Sequence, residues 1–444
     1  MMTSGMRLRL GAMMFLQYFV WGAWFVTLGT FLATSLQSNG AQIALAFATQ
    51  SWGAILAPLI VGLMADRYFN AERMLGLLHL AGSALLYGMY TADRFETIYP
   101  IVFTYMLLYM PTLALSNSVV LRQLQDPSRQ FANIRVWGTG GWIAAGLAIS
   151  LIFSWDSVAG VAQGQLRNTF VLASVASLLL GLFSFTLPAT PPTDTGQSRT
   201  VSDLLGLGAL RLLKDRNFLT FFVSSVLICI PLAFYYQHAN QFLVEIGVEN
   251  ATGKQTLGQV SEVLFMLLIP IFLRRFGMKL TLVIGMAAWS LRYLLFAFGE
   301  PSGAATMLLI GIALHGICYD FFFVSGQIYT DSKAGAANRS AAQGLITLAT
   351  YGVGMLAGFW AAGQITDLHA SAAQLHDWRA IWLYPAAFAA LVAVAFMVLF
   401  KNERINYDAS LPARGTGTPE GEGDSPAPTR PAIHGTSPSS GELR

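Results

Sequence analysis

Charge is scarce in this chain. Only 23 of its 444 residues are Asp or Glu and 26 are Lys or Arg, 11% together. An ordinary soluble domain carries roughly 25%. So few charges cannot solvate the surface of a large globule, which excludes a soluble reading even though the length would allow about three domains. Cysteine is nearly absent as well: Cys229 and Cys318 both lie in apolar segments, which excludes a disulfide framework and a Cys-rich metal site. No Gly-x-x-x-x-Gly-Lys-Ser/Thr loop is present to cradle a nucleotide phosphate, so ATP drive is not expected. Neither His-Glu-x-x-His nor Cys-x-x-Cys occurs, so no metal or cofactor is expected and nothing argues for an enzyme. The net charge of +3 comes without a basic cluster interleaved with aromatics, so nucleic acid is not an expected partner.

What is abundant is apolar sequence. The hydrophobic fraction is 55% and the mean hydropathy is +0.55. A bilayer core about 30 Å thick needs about 20 apolar residues per helix. Twelve such runs are present: residues 12–34, 41–64, 73–92, 97–121, 133–155, 168–187, 217–244, 255–274, 279–298, 303–329, 339–366 and 378–400, here called spans 1 to 12. Helices are the economical choice because each satisfies its own backbone in lipid. Arg7 and Arg9 precede span 1 without a small-residue cleavage site, so span 1 reads as a retained signal-anchor helix. The expected fold class is an all-α polytopic membrane protein.

Lys and Arg set the orientation. With the N-terminus inside, 18 of the 26 fall in inside segments and three more in the C-terminal tail. Only Arg94, Arg167, Lys254 and Arg379 lie outside, and Arg292 sits within span 9. Both termini are therefore expected to be cytoplasmic, in the cell inner membrane. The longest inside loop, 188–216, opens with Pro188, Pro191 and Pro192 and divides the spans six and six. Basic turns after spans 2 and 8, about 208 residues apart, suggest two homologous halves. The expected organisation is a first half at 1–187, a linker at 188–216, a second half at 217–400, and a disordered tail at 401–444 rich in Pro, Gly, Ser and Thr.

Ionisable groups inside membrane helices cost roughly 2.5–3.5 kcal/mol on insertion scales, so they mark bundle interiors and transport paths. Asp320 lies in the middle of span 10, and Glu262 shares a face of span 8 with Gln259 three residues before it. Arg135, Thr139 and Trp142 repeat at i, i+4 and i+7 in span 5, placing a cation, a hydroxyl and an aromatic plate on one face. Two readings stand: a buried ion pair of Arg135 with Asp320 or Glu262, or a polar cavity between the halves. Arg292 reads as a structural pair or as snorkelling, and His79 and His315 as satisfied core histidines. Span 7 carries Tyr235-Tyr236-Gln237-His238 and Asn240-Gln241, either a gate made mobile by Pro231 or a helix end near outside water. The turn of Gly62, Asp66 and Arg67 reads as a conformational gate whose charge pairs differ between states.

Six plus six spans, a Gly-x-x-x-Asp-Arg turn after span 2 and a long central loop resemble the major facilitator superfamily. Within it, Phe15-Leu-Gln-Tyr-Phe-Val-Trp-Gly-Ala-Trp-Phe-Val-Thr-Leu-Gly29, Tyr109-Met-Pro-Thr-Leu113, Arg135-Val-Trp-Gly-Thr139, Gln259-Val-Ser-Glu262, Leu273-Arg-Arg-Phe-Gly277 and Tyr319-Asp320-Phe-Phe are similar to the nucleoside:proton symporter family, over about residues 6–405. The resemblance implies a proton-coupled nucleoside importer, working by alternating access and needing no partner chain in the bilayer. It implies that Arg135, Thr139 and Trp142 line the pocket, that Gln259 and Glu262 hydrogen-bond the nucleoside, that Tyr319 packs against it, and that Asp320, shared with Glu262, carries the proton. Where family members carry Gln and Asn on span 7, this chain has Ala233 and Tyr236, which adds a phenol to the expected site. A transporter of another small hydroxylated solute such as a sugar, an exporter, and a non-transporting receptor or scaffold remain as alternatives.

Overall fold

The computed structural model describes residues 3–60, 69–125, 127–192, 207–335, 338–371 and 375–403. The gating turn of Gly62, Asp66 and Arg67, residues 193–206 of the linker 188–216 and the tail beyond 403 lie outside the described residues. Among the described residues the architecture is all helix, apart from one isolated bridge between Ala370 and His376. Eight described helices are long and apolar enough to cross a membrane. One of them, Ala251–Phe298, has 48 residues and holds spans 8 and 9. At about 1.5 Å per residue it far exceeds one bilayer crossing. It reverses at Gly277, whose φ of 74° and ψ of 175° are open only to glycine. This explains the Leu273-Arg-Arg-Phe-Gly277 turn.

The remaining spans follow the apolar runs with local interruptions. Span 1 begins earlier than its apolar run, at Ser4, where Thr3 caps the helix. It breaks after Gly22 and resumes as Leu28–Ser35. Span 2 is Gly40–Ile60, span 3 Ala71–Thr91, span 4 Phe95–Gln123, span 5 Pro127–Leu147, span 6 Asn168–Ser184, span 7 Arg216–Glu245 and span 12 Trp378–Leu399. Span 10 runs through Ala305–Ala313, His315–Tyr319 and Ser325–Ala334, with a widened turn at Asp320–Val324. Span 11 runs through Arg339–Thr347 and Met355–Leu368, widened at Leu348–Gly354. Such widened turns displace the ladder by one residue and recur at functional sites.

Packing sorts the spans into two groups. Span 1 packs on spans 5 and 6, span 3 on spans 4 and 6, and span 2 on span 4. In the second group span 7 packs on spans 11 and 12, and Ala251–Phe298 packs on spans 10 and 12. Contacts between groups run from span 1 to 7, span 2 to 11 and span 5 to 8.

The hydrogen bonds between groups described here gather at the end opposite Asp215, Lys333 and Glu403. The Thr30 hydroxyl donates to Asn240 Oδ1 at 2.6 Å. Asp367, at the end of span 11, accepts from the Gly40 and Ala41 N–H groups at 2.5 and 2.9 Å. Asp156, just after span 5, accepts from the Thr252 N–H at 2.8 Å and the Ser150 hydroxyl at 2.5 Å. Thr252 follows Ala41 by 211 residues, and Asp367 follows Asp156 by the same 211. Each group thus caps a helix N-terminus of the other with a carboxylate, where free N–H groups and the helix dipole favour an anion.

Candidate functional site

Between the groups, on the inner side of that closed end, lies a cavity with about 470 Å³ of empty space counting its open mouth. Gly22, Phe25, Val26, Trp142 and Gly146 come from the first group, and Tyr235, Tyr236, Thr252, Gln255, Thr256 and Gln259 from the second. The break in span 1 after Gly22 is what turns Phe25 toward the seam, where it meets Tyr236 with ring centroids 6.4 Å apart. Trp142 meets Trp21 edge to face at 5.5 Å. Trp21 in turn lies 5.6 Å from Tyr109. One wall is therefore a set of aromatic plates. The other wall is a polar stripe on span 8.

Of the residues expected from sequence, Trp142, Tyr236 and Gln259 share this cavity. Arg135 and Thr139 continue the Trp142 face of span 5, both half-buried. The Arg135 guanidinium sits 4.1 Å above the Tyr18 ring, a cation–π contact, and is within electrostatic range of Glu262. Glu262 is half-buried, with His315 Nε2 3.9 Å from its Oε2. Tyr319 and Tyr351 join hydroxyl to hydroxyl at 2.6 Å, linking span 10 to span 11. Asp320 does not line the cavity. It is fully buried at the first residue of the widened turn, and both carboxylate oxygens lack a hydrogen-bond partner among the described residues. Glu262 lies within its electrostatic range.

Several expectations are corrected. Among the described residues neither Asp320 nor Glu262 forms a contact ion pair with Arg135, so the buried-pair reading does not hold there. Arg292 does not snorkel: it is 0% exposed. Its guanidinium lies 3.4 Å over the Tyr235 ring, with Nη1 3.1 Å from His315 Nδ1. His79, by contrast, is the satisfied core histidine expected, with Nε2 2.9 Å from Gln17 Oε1 and Nδ1 3.0 Å from Ser177 Oγ. The polar end of span 7 is buried and does not face water. His238 contacts Gln241 and Thr366, and the Asn240 amide donates to Thr252 and Gln255. Ala233 is buried with Gly358 of span 11 closely apposed, while Tyr236 faces the cavity.

Sequence reasoning missed Phe25, Tyr235, Thr252, Gln255, Thr256 and Tyr351. A signal for three of them was present. Thr252, Gln255, Thr256 and Gln259 stand at i, i+3, i+4 and i+7, a polar stripe on one helix face.

The comparisons with known proteins agree with this geometry. The sequence profile of the nucleoside H+ symporter family matches residues 2–404. The protein YegT of Escherichia coli (strain K12) is 42% identical over 402 residues, which cover 89% of this chain and 93% of that protein. A xanthosine permease of Escherichia coli (strain K12) is 34% identical over 409 residues, covering 89% of this chain and 96% of the permease. The crystal structure of the nucleoside transporter NupG superposes with a TM-score of 0.81 at 30% identity, over 90% of this chain and all of that one. Twelve spans in two packed groups, a cavity of aromatic plates and amides at their seam, and a family profile running nearly the length of the spans lead to one conclusion: the chain belongs to the nucleoside H+ symporter family.

Proposed function

We propose that the seam cavity is the nucleoside site of a proton-coupled importer and that Asp320 is its principal proton carrier. Proton-coupled nucleoside transport follows from the family; the residue roles are our reading. The observation that carries it is the pairing of aromatic plates with amides and hydroxyls in one cavity, together with a buried carboxylate, Asp320, that has no side-chain partner among the described residues and lies within electrostatic range of Glu262. A nucleobase is flat and apolar on its faces, which suits Phe25, Trp142 and Tyr236. A ribose diol and base edges need donors and acceptors, which Gln259, Glu262, Thr139 and Arg135 offer. An unpaired carboxylate in a dry interior is stable only when neutral. Asp320 therefore holds a proton when sealed off and releases it when water reaches it.

The two packed groups are the rocking halves, divided within 188–216. By the positive-inside asymmetry, both termini face the cytoplasm of the inner membrane. The Asp156 and Asp367 caps then close the outer side, and the cavity faces inward. The cavity is complete within one chain, which supports a monomer. The driving force suffices: one charge crossing 100 mV supplies about 2.3 kcal/mol, on the order of a 50-fold gradient at 1.4 kcal/mol per decade.

The test is uptake of radiolabelled uridine and adenosine into vesicles with an imposed pH gradient. Accumulation that a protonophore collapses supports the reading. Folded protein that accumulates neither nucleoside overturns it.

A further inference from the structure

Arg292 is a cation in the membrane interior with no carboxylate within 4 Å among the described residues. Its Nε and Nη2 have no hydrogen-bond partner there, and its polar contacts are His315 and the Cys318 thiol. This arrangement dictates the state of the imidazole. A guanidinium only donates, so His315 Nδ1 must accept, and the ring proton of the neutral imidazole sits on Nε2. That proton faces Glu262 Oε2, 3.9 Å away. The separation exceeds a hydrogen bond. Contacts of this kind are often long in an empty site and tighten when substrate arrives.

The ring has little freedom to face elsewhere. It stacks between Tyr235, at 5.4 Å, and Tyr319, at 5.8 Å. Its helix is pinned to that of Glu262, because the Gly316 N–H donates to Ser261 Oγ at 3.0 Å. A Cβ at Gly316 would lie 2.5 Å from the Ser261 carbonyl oxygen and 2.7 Å from the Glu262 nitrogen. The two backbones touch at this level, so His315 and Glu262 are held side by side.

We propose that His315, with its tautomer set by Arg292, is a positioning residue for Glu262 in nucleoside binding. The proposal rests on the reading of Glu262 as a nucleoside contact. It assigns Glu262 two cationic neighbours of different kinds. Arg135 belongs to span 5 of the first group, and its distance to Glu262 changes as the groups rock. The Arg292–His315 pair belongs to the same group as Glu262 and keeps an N–H aimed at the carboxylate throughout the cycle. Glu262 then stays oriented as a nucleoside acceptor, while Asp320, which has no such donor, is left to carry the proton.

The experiment is a double-mutant cycle read by calorimetric binding of adenosine and uridine to the purified full chain, with uptake kinetics alongside. His315→Phe removes both polar contacts. His315→Gln keeps a carbonyl for Arg292 and an N–H for Glu262. The expected result is that His315→Phe weakens binding about 10-fold, raising KM more than it lowers the maximal rate, and that His315→Gln restores binding to within about 3-fold. On a Glu262→Gln background His315→Phe adds less than about 2-fold. Equal weakening on both backgrounds, or no rescue by His315→Gln, overturns the proposal. Unchanged binding by Glu262→Gln alone overturns the reading of Glu262 itself. If His315→Phe yields no folded protein, Arg292→Met, which frees the imidazole tautomer, takes its place in the cycle with the same two outcomes.

Discussion

Two buried histidines show how differently the two groups of spans use polar atoms. His79, in the first group, sits in a neutral network. Its partners are Gln17 and Ser177, and Gln17 Nε2 donates onward to Thr112 Oγ1 at 2.7 Å. The Tyr109 hydroxyl closes the cluster on the Gln17 carbonyl. His315, in the second group, stands between a guanidinium and a carboxylate. Buried polar groups are tolerable when matched by neutral partners, and such networks rigidify a core. Charges left without contact partners are costly and persist where function uses them. The first group thus supplies a stiff aromatic wall, and the second holds ionisable groups, the buried Arg292 and Asp320 and the half-buried Glu262. The caps by Asp156 and Asp367 are, by contrast, shared alike by both groups.

The largest effect comes from removing the titratable group of the second half. Asp320→Asn should reduce the ~50-fold gradient available from 100 mV to simple equilibration, while nucleoside exchange across the membrane persists. Vesicle uptake with and without a pH gradient reads both. Full accumulation by this variant would remove Asp320 from the coupling role.

The caps test the symmetry. Asp156 is 1% exposed, whereas Asp367 is exposed. Asp156→Ala should weaken closure of this end by about 1.5–3 kcal/mol, the value of a hydrogen bond to a buried charge. Asp367→Ala should cost about 1 kcal/mol, as an exposed cap does. Distance distributions between spin labels on the loops at this end measure the open fraction, and equal effects would contradict the burial argument. His79→Leu should lower thermal stability by about 1–3 kcal/mol, because the buried Gln17 Oε1 loses its partner. It should leave the proton dependence of uptake unchanged. A shift in that dependence would mean that the neutral network is more than structural.

The smallest effect lies at the opposite end of the bundle. Asp215 accepts from the Asn217 and Phe218 N–H groups at 2.8 and 2.9 Å, and from Lys333 Nζ at 2.9 Å. Partial burial opposes its ionisation, but the Lys333 hydrogen bond and the two amides outweigh it and hold the carboxyl below its ordinary range. A depressed carboxyl contributes stability above its ordinary titration range and loses it as the pH falls through the lowered value. Asp215→Ala should therefore cost about 1 kcal/mol at neutral pH and less in acid, as melting curves across pH would show.

Much of this was legible in the chain because the signals are local. Apolar runs of bilayer length placed the spans, and Gly277 marked the reversal between spans 8 and 9. The Arg135-Thr139-Trp142 face was readable at helical spacing, and Trp142 does reach the cavity. Helical periodicity, however, reports one helix at a time. It placed His238 and Asn240 near a helix end without showing that Thr30, Thr252, Gln255 and Thr366 cover them. It could not separate His79 from His315, since both are single polar residues in apolar segments.

By itself the sequence determined a polytopic helical membrane protein, its span order, its charge asymmetry and the residue types available for a nucleoside and a proton. Those follow from bilayer thickness, backbone satisfaction and helical spacing, all properties of contiguous residues. Only the tertiary structure decided that Asp320 has no side-chain partner among the described residues, that His315 lies between Arg292 and Glu262, and that two carboxylates 211 residues apart close the same end of the molecule. The physical reason is that the state of a buried charge is set by whatever lies within a few ångströms of it. Here those neighbours come from other helices.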